Sequence, residues 1–142
     1  MDATSGWIVA AACALAAIGF IALCHVYQES TQPFLKGKFF TFPGAHVDLW
    51  SLGHFLLYVI FGFFVPERHL TFFVIGGTFE LIEDYMASNE LTQLAKCTSK
   101  DRFWCKGAED GYHYMNPTDP WVNLTGYVVG SAVRTTFWRP DP

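Results

Sequence analysis

The chain has 142 residues, of which 51% are apolar and 18% aromatic, while only 15% are charged. Soluble domains carry nearer a quarter charged residues, so this shortage, with the apolar residues gathered in blocks, points to a bilayer and away from a soluble core. A formal net charge of −4 and the lack of a basic stripe argue against nucleic acid as a partner.

The length suits one domain, and no internal repeat is found. Its first apolar block, Trp7 to Tyr27, is long enough to span a membrane and holds no charged residue, only His25 near its end. Met1-Asp2-Ala3-Thr4-Ser5-Gly6 lacks the basic region of a signal peptide, so the block reads as a retained transmembrane helix. Its small residues, Ala10 to Ala12, Ala14, Ala16, Ala17 and Gly19, allow close approach by a neighbouring helix. From Gln28 to His46 runs a polar connection marked by Pro33, Gly37, Pro43 and Gly44. Within it, Phe39-Phe40-Thr41-Phe42 suits either a segment lying at the membrane interface or a covered loop.

A second span is expected from about Val47 to Val65, ended by Pro66-Glu67-Arg68. It contains Asp48, His54 and Tyr58, the last two four residues apart on one face. A third span, about His69 to Met86, follows so closely that the two form an antiparallel hairpin. Glu80, Glu83 and Asp84 stand late in it, at i, i+3 and i+4, on one helical face. Carboxylates in a membrane helix cost several kcal/mol each unless paired, protonated, metal-bound or wetted. The hairpin sets Asp48 and His54 level with these acids, toward one interface.

Ala87 to Pro120 is the longest polar section, and a short helix is expected around Glu90 to Lys96. Cys97 and Cys105 either close a disulfide or remain two free thiols; spacing alone does not choose. No Cys or His spacing of a zinc site is present. The last apolar stretch begins at Asp119-Pro120, with Asp119 expected as the helix cap, and runs to about Trp138. Asn123, Gly126 and Gly130 follow along one stripe, and the GxxxG of the two glycines favours close helix packing over dimerisation. Arg134 and Arg139 are expected to snorkel to the far interface beside Phe137 and Trp138.

The expected fold is an all-α membrane bundle forming a single domain, 1–142. Its four transmembrane helices lie at about 7–27, 47–65, 69–86 and 120–138, with a long polar loop between the third and fourth. Lys36, Lys38, Lys96, Lys100, Arg102 and Lys106 fall on one side, against Arg68, Arg134 and Arg139 on the other. The positive-inside rule then places the long loop in the cytoplasm, whereas a Cys97–Cys105 disulfide would argue for the opposite side.

Asp48-x5-His54-x3-Tyr58 opens one helix, Glu80 sits late in the next, and Asp119-x3-Asn123-x2-Gly126-x3-Gly130 opens the last. In this order the three motifs resemble the VanZ-like family of small membrane proteins, over roughly Val47 to Val133. Glu83 and Asp84 stand where that family typically has a glutamine, and the cysteine-containing insertion before Asp119 is a further departure. The resemblance implies a multi-pass membrane bundle with these polar positions at its site; some members are associated with glycopeptide-antibiotic resistance.

Three functions are compatible with an acidic–histidine cluster of Asp48, His54, Tyr58, Glu80, Glu83, Asp84, Asp119 and Asn123. The first is a structural or accessory protein of a membrane assembly, with the bilayer and other membrane subunits as partners. The second binds a lipid headgroup or other amphiphile. The third is a metal-assisted hydrolase or transferase, in which Glu80, Glu83, Asp84 and Asp119 hold a hard divalent cation and His54 is the base.

Overall fold

The structure, a computed structural model, describes residues 3–43, 45–94 and 118–138. Among the described residues it is mostly helical, with five helices and one small hairpin. The first helix, α1 (Ala3–Val26), is followed at once by α2 (Gln28–Leu35). Thr31 holds the corner between them, its hydroxyl within 3.1 Å of the Cys24 and Tyr27 carbonyls.

The polar connection after α2 contains two strands that were not expected. β1 (Lys38–Phe42) and β2 (Ala45–Asp48) pair antiparallel, with Phe40 opposite Val47 and Thr41 opposite His46. Phe and Thr favour extended backbone, and Pro43-Gly44 supplies turn residues between the two runs. The strand delivers the chain straight into α3 (Leu49–Phe64). Asp48 is therefore the N-cap, in extended conformation, and its carboxylate accepts the Ser51 backbone N–H at 2.9 Å.

α3 stops at Val65, since a residue before proline is pushed out of the helical region. Glu67 turns the chain with a positive φ of 65°, and α4 (His69–Leu94) begins. α4 runs on past Met86 because no glycine or proline interrupts it after Gly77; the start of the short helix expected at Glu90 is its last turn. Lys96, Cys97 and Cys105 lie outside the described residues. α5 (Asp119–Phe137) carries Pro120 in its first turn.

Among the described residues, α3 and α5 share the most extensive interface. Glycines make it possible: a Cβ on Gly62 would lie 2.8 Å from the Ser131 nitrogen. On Gly130 it would be 2.8 Å from the Val59 carbonyl carbon, and on Gly126 it would collide with the Phe55 carbonyl. Tyr127, 1% exposed, fastens the α3–α4 turn to this pair. Its hydroxyl donates to the Val65 carbonyl and accepts the Arg68 N–H at 2.9 Å. Its ring stacks on Phe72, which also meets Phe61 and the Tyr58 edge, forming the aromatic centre of the core.

α1 sits against this centre through Trp7, stacked on Phe72 at 5.6 Å, and through Phe20 edge-on to Trp50. Its apolar window, Thr4–Cys24, is only 11% buried, and by length and composition it is long and apolar enough to cross a membrane. Leu49–Phe64 and His69–Ile82 are apolar but shorter. Arg134 corrects an expectation: it is buried, with its guanidinium 5.6 Å from the Phe63 ring centre, and does not extend outward.

Candidate functional site

Three helices each contribute polar side chains to one buried region. α3 offers Ser51, His54 and Tyr58, spaced three and four residues apart on one face. α4 offers Glu80, and α5 offers Asp119 and Asn123, again four apart. Glu80 is 2% exposed and Asn123 3%. His54 Nδ1 lies 3.4 Å from Glu80 Oε1, and Asn123 Nδ2 donates to the same oxygen at 3.3 Å.

The second half of the site is a short chain of hydrogen bonds. Ser51 Oγ donates to Asp119 Oδ1 at 2.8 Å and lies 3.3 Å from Asp48 Oδ1. His46 Nε2 stands 3.4 Å from the other Asp48 oxygen, and the Thr118 hydroxyl donates to the His46 carbonyl at 2.9 Å. This arrangement corrects the expected role of Asp119. The cap position of α5 is Thr118, which makes no side-chain cap bond, and Asp119 is turned inward to Ser51. A carboxylate at the start of a helix is stabilised there by the helix dipole whether or not it caps.

The two halves meet at His54, Glu80 and Asp119, which each offer a ligand atom within 4.8 Å of the others. Among the described residues two acceptors in this region have no hydrogen-bond donor: Glu80 Oε2 and Asn123 Oδ1. Leaving a buried acceptor unsatisfied costs on the order of 1–3 kcal/mol. The region therefore favours a ligand that brings positive charge or donated hydrogens. Tyr58 completes the inner wall: its hydroxyl rests against α4 where a Cβ on Gly76 would come within 2.6 Å. Glu83 and Asp84 continue α4 one turn beyond Glu80, and their side chains lie outside the described residues.

Beside the polar group is a half-open apolar cleft of about 440 Å³, between α1 and the α3–α4 pair. Ala10, Ala14 and Ala17 of α1 form one wall, and Leu57, Phe61 and Phe79 form much of the other. His54, Tyr58 and Asn123 reach its surface from the inside. The alanines hold α1 without filling the gap, because a methyl group leaves room that a larger side chain would occupy.

Ser51 and His46 were missed by sequence reasoning. Ser51 carries a local signal, since Asp48-x2-Ser51 matches an N-cap acceptor and the third residue of a helix. His46 carries none, because its approach to Asp48 depends on the unanticipated strand. Comparison of the chain with family models, with curated proteins and with solved structures finds no match in any of the three.

Proposed function

We propose that this chain is a multi-pass membrane protein of four spans that holds an amphiphile in the cleft beside His54, Tyr58 and Asn123. The cleft itself carries this reading. Its volume falls in the range of roughly 300–1,000 Å³ common for small-molecule sites, with apolar walls and a few convergent polar groups.

The distribution of polarity supports the membrane setting. Asp48, Ser51, Glu80, Asp119, Asn123, Ser131 and Arg134 are buried, while Leu15, Ile18, Leu56, Val74, Leu81 and Val129 face outward. An apolar exterior around a polar interior is favourable where the solvent is hydrocarbon, and costly in water. The 16 residues of α3 rise about 24 Å, short of a ~30 Å hydrocarbon core. Local thinning of the bilayer accommodates such a deficit at a fraction of a kcal/mol per Å.

The cleft opens sideways. Ile18, Phe20 and Ile75 line it and also belong to the exposed apolar surface. A lipid chain can thus enter from the bilayer without leaving hydrocarbon, and its head meets the polar residues of the lining, His54, Tyr58 and Asn123. A hydroxyl- or amine-bearing head suits that polar edge. On this reading the residues that resemble the VanZ-like pattern, His54, Tyr58, Glu80, Asp119 and Asn123, form or support one ligand site.

Native mass spectrometry of the protein in mild detergent tests the proposal. One lipid or other amphiphile per chain is expected, and Ala14→Phe, which fills the cleft, should displace it while the helical circular dichroism is kept. Equal retention of the bound molecule by the Ala14→Phe protein would refute the reading.

A further inference from the structure

We propose that His54, Glu80 and Asp119 form a binding site for one divalent transition-metal cation of the zinc type. The donors themselves define this site, and it does not require the cleft to be filled. Three helices that are distant in sequence, α3, α4 and α5, place one nitrogen and two carboxylate donors within 4.8 Å of one another. Such a set is unlike a solvated acidic face, since Glu80 and Asp119 are both buried.

The spacing between the first two donors is informative. His54 Nδ1 and Glu80 Oε1 are 3.4 Å apart. A strong charge-assisted hydrogen bond would bring them to about 2.7–2.9 Å. Two donors about 2.0–2.2 Å from a tetrahedral ion stand roughly 3.4 Å from each other. Asp119, whose carboxylate lies within 4.8 Å of both, becomes the third ligand by a side-chain adjustment.

A second, independent observation points to a cation. Glu80 Oε2, on a side chain that is 2% exposed, has no hydrogen-bond donor among the described residues. Asn123 Oδ1, also without one, is suited to accept a hydrogen from a metal-bound water. Charge agrees as well: a neutral imidazole and two carboxylates around a divalent ion sum to zero, the arrangement that apolar surroundings tolerate best. The imidazole favours zinc or a related transition metal over magnesium or calcium, which prefer all-oxygen shells. His54 is then a ligand and no longer available as a base.

The test uses the full chain in detergent. Chelator-stripped protein is titrated with zinc chloride, with calcium chloride as comparator, and stoichiometry is read by elemental analysis after desalting. One zinc per chain is expected, with binding weakened at least 100-fold in Glu80→Gln and in His54→Gln, and unchanged in Glu67→Gln at the exposed turn. Cobalt chloride supplies a second readout in the unmodified protein: a visible absorption band of tetrahedral type is expected, which survives even if a variant fails to fold. Retention of zinc by both variants, or neither zinc uptake nor a cobalt band in the unmodified chain, would overturn the site.

Discussion

Ser51 Oγ and Asp119 Oδ1 are joined at 2.8 Å across 68 positions of the chain. This bond couples the first turn of α3 to the first turn of α5, and both groups are buried. Ser51→Ala should cost about 1–3 kcal/mol, because it removes a buried hydrogen bond to the Asp119 carboxylate. Ser51→Thr should keep most of the stability. Denaturant unfolding in detergent, followed by tryptophan fluorescence, distinguishes the two; equal stability of the Ala variant would show that the bond contributes nothing.

The α3–α5 contact depends on backbones touching at Gly62, Gly126 and Gly130. Gly130→Leu should lower stability by about 3 kcal/mol or more, at the upper end of overpacking costs, since the clash is with the Val59 backbone and no rotamer relieves it. Gly53→Ala, where a Cβ meets nothing, should lie within about 1 kcal/mol of the parent. Thermal melts of the two variants provide the comparison, and similar midpoints would contradict the close approach.

Tyr127 is fully buried and its hydroxyl serves two backbone groups of the turn between α3 and α4. Tyr127→Phe keeps the ring on Phe72 but strands the Val65 carbonyl and the Arg68 N–H. A loss of about 1–3 kcal/mol is expected. Faster hydrogen exchange at Arg68, with α5 unchanged, is the local signature; uniform exchange across the chain would point to a different role for the hydroxyl.

Much of this arrangement was legible in the residues. The carboxylate of Glu80, the His54–Tyr58 spacing and the Asp119–Asn123 spacing each declare a helical face, and the short hairpin at Pro66 sets His54 level with Glu80. What was not legible depends on contacts distant in sequence. Whether Asp119 caps its own helix or turns to Ser51 is decided by how closely α3 approaches, which the glycines permit but do not state. The hairpin of β1 and β2 is hidden because its aromatic run fits an interfacial segment equally well, and extended propensity is weak without a partner strand. The cleft is illegible for another reason: alanines at Ala10, Ala14 and Ala17 are consistent with tight packing, and here they line a gap.

The central claim is that the cleft takes a chain from the bilayer, and photocrosslinking tests it most directly. Protein reconstituted in vesicles containing a lipid with a diazirine on its acyl chain is irradiated, digested and mapped by mass spectrometry. The account predicts adducts concentrated on cleft-lining Leu57 and Phe79 as well as on outward-facing residues, with the Leu57 and Phe79 adducts lost in Ala14→Phe. Adducts confined to the outer surface, at Leu15, Val74 and Val129 alone, would contradict it.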